Sequence, residues 1–175
     1  MPRTLKSLKT PLRYPGGKSK AVPKLLQYLP NLFQVKEFRE PFLGGGSVAL
    51  EITKRYPHID VWVNDLYEPL YNFWCELQHN GQELQDALLG IKSIYCNPDA
   101  ARCLFITSKE QINDSDLSNF DRAVAFYIVN KCSFSGLTES SSFSAQASES
   151  NFSTNGIERL TEYSDCLLYT SPSPR

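Results

Sequence analysis

The chain has 175 residues, 41% of them hydrophobic, and a formal net charge of −1 at pH 7, which suits one ordinary hydrophobic core and leaves little for a second domain. Its five cysteines are odd in number and form no Cys-x-x-Cys pair, which argues against a disulfide framework or a zinc site and favours reduced thiols. No apolar run approaches the roughly 20 residues that span a bilayer, and the N-terminus has no signal-peptide core, so the sequence predicts a soluble, cytoplasmic protein without a metal.

The N-terminal part of the chain is strongly basic. Residues 1–36 include eight basic side chains and no acid, whereas the remainder carries ten basic and nineteen acidic residues. A basic arm on an acidic remainder is typical of a protein that contacts a phosphate backbone. A solvated tail explains the same composition equally well.

The first predicted elements form a strand, helix, strand unit. Helical spacing of apolar residues covers residues 19–29, with Ser19 as a candidate N-cap and Pro23 in the first turn. A short strand over residues 35–42 then leads into a glycine loop and a helix over residues 47–56. Alternation of apolar residues over 59–65 predicts a second strand that ends at Asp65.

Helices dominate the predictions for the middle of the chain. They cover residues 67–89 and 98–105, and a bunched apolar run predicts a buried helix within residues 116–132. Serine then dominates residues 133–156, with Phe134, Phe143 and Phe152 interleaved. The recurring aromatics favour a surface that becomes ordered on binding over a plain linker.

Three consecutive glycines, Gly44 to Gly46, follow the first predicted strand. Glycine loses more conformational freedom on folding than other residues, so such a run indicates that something approaches the backbone closely. Asp65 ends the next strand, where a carboxylate can accept hydrogen bonds from ribose hydroxyls. A nucleoside-bearing cofactor is therefore predicted. The loose pattern of Gly44, Gly46 and Ala49 leaves a nicotinamide or flavin open, and a plain tight turn with an acidic cap is the structural alternative.

The segment LRYPGGKSK, residues 12–20, superficially resembles a phosphate-binding P-loop. That loop requires a glycine five positions before Gly17, where this chain has Leu12. A P-loop NTPase is therefore disfavoured. What remains is an aromatic residue, two glycines and a lysine before a helix, a set suited to covering an adenine or a carboxylate tail.

Four segments in order, RYPGGK, REPFLGGGS, VNDLYEPL and NKCSFSGL, resemble the Dam-like group of adenine-N6 DNA methyltransferases over about residues 12–160. The resemblance implies an α/β fold, a Rossmann-like methyltransferase sheet with a helical recognition insertion, that uses S-adenosylmethionine on double-stranded DNA. It also implies the following cofactor-binding residues: Tyr14, Gly17, Lys18, Phe42, Gly44, Gly46 and Asp65. Position and charge add three candidates for DNA contact: Arg13, Lys131 and Ser135.

The resemblance also predicts how the chain is divided. Residues 1–80 would form the N-terminal part of the cofactor-binding core, 81–132 the helical target-recognition insertion, and 133–165 a serine-rich DNA-facing segment that returns to the core. A monomer is expected, and an accompanying restriction endonuclease is a candidate partner.

One feature of the family is missing from this sequence. Transfer to N6 of adenine uses an Asp-Pro-Pro-Tyr-type motif, and none of the eleven prolines is adjacent to another. No catalytic residue is therefore assigned. The ending CLLYTSPSPR, with Pro172 and Pro174, predicts neither strand nor helix, so residues 166–175 are interpreted as a truncated or non-native tail.

These observations predict an inactive fragment of an adenine-N6 DNA methyltransferase. Two alternatives from other classes remain open: a non-catalytic module that binds S-adenosylmethionine or DNA, and an NAD-dependent oxidoreductase based on the loose glycine pattern.

Overall fold

A three-stranded parallel sheet organises the molecule. The structure, a computed structural model, describes residues 9–138, 140–167 and 170–172, so Arg3 and Lys6 of the basic arm lie outside the described residues. The strands are β1 (Glu37–Glu40), β2 (Asp60–Val63) and β3 (Thr170–Pro172), in the order β1-β2-β3. Because Glu40 is paired with Val63, the carboxyl ends of β1 and β2 meet at one edge of the sheet.

The predicted strand, helix, strand unit is confirmed. Helix α2 (Ser47–Arg55) connects β1 to β2 and buries Ala49, Leu50 and Ile52. Alternation along β2 places Val61 and Val63 in the core. The opposite face carries Arg39, Trp62 and Asn64, which line an open cavity of about 390 Å³.

The prediction of one continuous helix over residues 19–29 is wrong. Helix α1 (Val22–Leu25) is a single turn between two 3-10 turns, Lys18–Lys20 and Leu26–Tyr28. Pro23 lies in the first turn of α1, where its missing N–H is tolerated. Leu29 is extended because it precedes Pro30.

Four longer helices follow β2, and α6 packs against the other three. Their bounds are α3 (Glu68–His79), α4 (Gly81–Ile94), α5 (Pro98–Gln111) and α6 (Asn119–Cys132). The non-helical backbone of Asn80 divides the predicted helix over residues 67–89 into two. All ten residues 123–132 of α6 are buried, and the Phe73 ring of α3 stacks on Tyr127 at 5.8 Å between centroids.

A continuous hydrophobic cluster joins the sheet, α2 and these helices, and it extends from Leu12 to Tyr163. The division of the chain into a cofactor-binding part and a recognition insertion stays a prediction. Among the described residues, no helix is both long and apolar enough to cross a membrane. The described His, Cys, Asp and Glu side chains also form no group of three that could hold a metal.

The described residues of the serine-rich segment, which exclude Glu139, are folded. The segment contains α7 (Ala145–Ser150) and α8 (Thr154–Glu158), followed by α9 (Leu160–Leu167). The expectation of a surface ordered only on binding is wrong for two of its aromatics: Phe152 is fully buried and Phe143 packs on Phe105. Two of its serines, Ser144 and Ser153, instead cap helices, because their hydroxyls accept hydrogen bonds from free N–H groups of the first turn.

The prediction that the C-terminal segment contains no strand is also wrong. β3 pairs with β2 from Val61↔Thr170 to Val63↔Pro172. Proline is compatible with this position because it ends the strand, where a missing N–H costs little. Whether residues 166–175 are native to the chain stays a prediction.

Candidate functional site

A cavity of about 210 Å³ lies at the carboxyl ends of β1 and β2. Six of the seven predicted cofactor residues line it: Tyr14, Gly17, Lys18, Phe42, Gly44 and Asp65. The seventh, Gly46, is not among the lining residues. The structure therefore gathers two distant sequence motifs and the end of β2 around a single space.

Aromatic rings explain the run of three glycines. Gly44 and Gly46 have φ angles of +52° and +71°, a left-handed region that disfavours side chains. A Cβ atom on Gly44 would lie 2.9 Å from Cε1 of Tyr14, and one on Gly46 would lie 2.8 Å from Cζ2 of Trp74. The close approach that the sequence attributes to a ligand is thus made in this structure by Tyr14 and Trp74.

Trp74, on α3, was not found by sequence reasoning. Its ring is 5% exposed, and its Nε1 donates a hydrogen bond to the Gly44 carbonyl at 3.2 Å. An aromatic residue in an amphipathic helix gives no sign that it will contact a loop 30 residues away. The result is a glycine loop held by a buried side chain.

Asp65 connects the loops that follow the two strands. Its Oδ2 accepts a hydrogen bond from the Gly44 N–H at 2.8 Å, and its Oδ1 accepts one from the Tyr67 N–H at 3.0 Å. A carboxylate has about four lone-pair sites, so each oxygen retains capacity for a further donor. The carboxylate can therefore fix the loop and still accept hydrogen bonds from a ligand in the cavity.

Glu40, at the end of β1, is a second carboxylate in the cavity lining that sequence reasoning missed. Its Oε2 accepts a hydrogen bond from the Ala49 N–H in the first turn of α2, at 2.9 Å. Burial raises the pKa of Glu40 to about 7; the Ala49 N–H and the charge of Lys18 oppose this rise, and Asp65 adds to it. The detectable signal was its position, an acid that ends a strand beside the glycine loop.

The PGGK turn brings Tyr14 and Lys18 to the cavity. The Gly17 N–H donates to the Tyr14 carbonyl at 2.9 Å, and a Cβ on Gly17 would come within 2.9 Å of that oxygen. The Ser19 and Ser47 hydroxyls hydrogen-bond at 2.8 Å and tie the turn to the start of α2. Burial, with the nearby charge of Asp65, raises the pKa of the Tyr14 phenol.

Arg13 is fastened to the end of α6 by Asn130. The Asn130 Oδ1 accepts from the Arg13 N–H at 2.9 Å, and its Nδ2 donates to the Arg13 carbonyl at 2.7 Å. Nη1 of Arg13 donates to the Ser133 carbonyl at 2.5 Å. The structure therefore brings Arg13 beside Gly136, the neighbour of exposed Ser135, which has a φ of +62°. Contact of either residue with DNA stays a prediction.

Lys131, predicted from its position and charge to contact DNA, is buried in this structure, and its contact with DNA stays a prediction. It occupies the last turn of α6, which is buried throughout, and it is 9% exposed. Its Nζ donates to the Pro11 carbonyl and lies 5.1 Å from the centroid of the Tyr127 ring. Burial, together with the charge of Arg13, lowers the pKa of Lys131 to about 8.

The chain is similar to three named methyltransferases. It is 23% identical to the type II methyltransferase M.MjaIII of Methanocaldococcus jannaschii over 133 residues. This aligned region covers 72% of this chain and 46% of that protein. It is 30% identical over 127 residues to the DNA adenine methylase of Vibrio cholerae, covering 72% and 42%. It is 27% identical over 126 residues to the DNA N-6-adenine-methyltransferase of Escherichia phage P1, covering 72% and 15%. The chain thus spans less than half the length of each of these relatives.

A family model that matches most of the chain confirms the resemblance inferred from the four ordered motifs. Residues 14–168 match the family model of the D12 class N6 adenine-specific DNA methyltransferases. This range includes the PGGK turn, the glycine loop, Asp65 and the segment after α6. The chain therefore belongs to the family of D12 class N6 adenine-specific DNA methyltransferases.

Proposed function

We propose that the protein represented by this chain transfers a methyl group from S-adenosylmethionine to N6 of adenine in double-stranded DNA. Family membership supports the reaction class. The cavity at the ends of β1 and β2 supports the choice of cofactor, since parallel sheets bind nucleotides at this edge. The three strands would then be part of a Rossmann-like methyltransferase sheet.

The lining of the cavity fits the chemistry of the proposed cofactor. S-adenosylmethionine carries a sulfonium and an ammonium, so two carboxylates, Glu40 and Asp65, provide complementary charge. Lys18 lines the same space and offers a partner for the cofactor's carboxylate. Phe42, whose side chain is 78% exposed, offers an apolar surface at the entrance. The observation that carries the proposal is the meeting of these groups around one glycine loop.

The residues divide the binding task. Asp65 would accept hydrogen bonds from the ribose hydroxyls while it holds the Gly44 N–H. Tyr14 would cover the loop from the solvent side, where it is 42% exposed. The bound cofactor supplies an electrophilic methyl group. This chain's residues bind and orient it, and none of them is assigned the transfer step.

Calorimetry with S-adenosylmethionine tests the cofactor assignment. We expect Asp65→Ala to lower the affinity at least about tenfold, because one charge-assisted hydrogen bond contributes about 1.5–3 kcal/mol. Asp60→Ala is the matched control: Asp60 begins β2 at the opposite end of the strand and does not line the cavity. Equal affinity of the two variants, or tighter binding of NAD than of S-adenosylmethionine, would contradict the proposal.

Methylation of plasmid DNA by the full-length protein tests the reaction. Incorporation of labelled methyl groups into N6 of adenine is expected. Cofactor binding without incorporation would instead favour the non-catalytic module. A monomeric state, a cytoplasmic location and an accompanying restriction endonuclease stay predictions.

A further inference from the structure

A second cavity, about 470 Å³ in volume, lies along α2, and Ser47 is the only described residue that it shares with the lining of the cofactor cavity. Its charged lining comprises four basic residues and one acid: Lys9, Lys20, Lys54, Arg55 and Glu51. The acid is already engaged, since Nε of Arg55 lies 2.5 Å from Oε1 of Glu51. Within the described part of the chain, the three lysines form no ion pair. This space, called the α2 groove below, is therefore strongly positive.

Both walls of the α2 groove are ordered. On one side, Glu51, Lys54 and Arg55 are spaced so that they share a face of α2. On the other side, the chain near Lys9 is held because its carbonyl accepts a hydrogen bond from the Tyr163 hydroxyl. The nearby Leu12 and Val22 side chains are buried. From residue 9 onward, the basic arm is thus packed against the domain, which overturns the alternative of a solvated tail for that part.

The lining chemistry fits a chain of phosphates. Lysines are flexible point charges, and hydroxyls of Thr10, Ser19 and Ser47 add neutral donors beside them. Among the described residues of the lining, none is an aromatic on which a base could stack. The lining also extends along the helix, since Ser47 and Lys54 are separated by about 10 Å at 1.5 Å per residue. Contact with a sugar-phosphate backbone, and not with bases, is what such a lining supports.

We propose that the α2 groove binds the phosphate backbone of duplex DNA outside the target site. This inference rests on the proposed function, because it assigns the duplex a second contact region on the same protein. The contact would add affinity without sequence preference, and it would weaken steeply with salt because each neutralised phosphate releases counterions.

The test compares two double variants of equal charge change. Lys20→Gln with Lys54→Gln removes two charges from the α2 groove. Lys24→Gln with Lys36→Gln is the control: it removes two exposed lysines of the basic N-terminal part that do not line the α2 groove. Binding of a short duplex of scrambled sequence is followed by fluorescence anisotropy at several potassium chloride concentrations, with circular dichroism to show that each variant is folded.

The groove variant is expected to reduce the slope of log affinity against log salt by about 1.8, since each phosphate contact contributes about 0.9. The control variant is expected to leave the slope nearly unchanged. Equal slopes for both variants would overturn the α2 groove alone. A folded, unsubstituted chain that bound no duplex at low salt would overturn the DNA proposal with it. Unchanged DNA binding by the groove variant, together with lost binding of polyglutamate, would assign the groove to acidic peptides instead.

Discussion

Replacing Gly46 by alanine should destabilise the protein strongly. Gly46 has left-handed backbone angles, φ 71° and ψ 12°, which cost an alanine about 1–2 kcal/mol. The added Cβ would also lie 2.8 Å from Cζ2 and 2.9 Å from Cη2 of Trp74. That ring cannot move freely, because it is hydrogen-bonded to Gly44 and packed edge-on against Phe73. Overpacking at such a site costs about 1–3 kcal/mol, so the free energy of unfolding should fall by about 2–5 kcal/mol.

Urea unfolding followed by tryptophan fluorescence and circular dichroism measures this change, provided that the m-value is constant. Gly90→Ala is the matched control. Gly90 lies within α4, and a Cβ there would meet nothing within 4 Å. The same substitution should therefore stabilise the protein at Gly90 by about 0.5–1 kcal/mol.

A double variant separates the two causes of the expected loss. With Trp74→Leu in the background, Gly46→Ala should lose most of its packing cost and retain the backbone cost of about 1–2 kcal/mol. The reasoning is refuted if Gly46→Ala and Gly90→Ala change the free energy of unfolding in the same direction. It is also refuted if Gly46→Ala costs the same with and without Trp74.

Two further predictions concern buried polar groups. The pKa of Glu40 is about 7 in the folded chain, above its ordinary 4.5. Between these two pH values the folded state therefore binds more protons than the unfolded state. The free energy of unfolding should consequently fall as pH rises from about 4.5 to about 7. Glu40→Gln should flatten this part of the stability profile, and an unchanged slope would argue against Glu40 as its source. Asn130→Ala should lower the free energy of unfolding by about 2–4 kcal/mol, because it leaves the partly buried N–H and carbonyl groups of Arg13 without these partners. Exposed Asn155→Ala should change it by less than about 0.5 kcal/mol, and thermal unfolding of both asparagine variants would show whether they differ.

Local signals predicted the part of the fold that surrounds the cavity at the ends of β1 and β2. Alternating apolar residues identified β2, and a glycine loop followed by helical spacing identified α2. Each signal occupies a few adjacent positions, and parallel pairing then brings the strand ends together. This is why Asp65 could be associated with Gly44 from the sequence, although the hydrogen bond between them needed the structure.

Features that depend on distant packing could not be predicted in this way. Lys131 follows a buried apolar run, but its charge and the polar residues nearby favoured a surface position. Only the packing of α6 against α3 and α5 shows that its ammonium meets the Pro11 carbonyl inside the protein. The raised pKa of Glu40 likewise depends on burial at the site, which no pattern in the sequence reports.

The pairing of Asn130 with Arg13 has a consequence for biosynthesis. The two residues are 117 positions apart, so the turn that carries Tyr14 leaves the ribosome long before the helix that fastens it. Loop-closure entropy grows only logarithmically with length, so this separation adds little to the free-energy cost of closing the loop. The separation does impose an order of events: β1, α2 and β2 can form early on a nascent chain, but the hydrogen bonds between Arg13 and Asn130 form only once α6 has emerged.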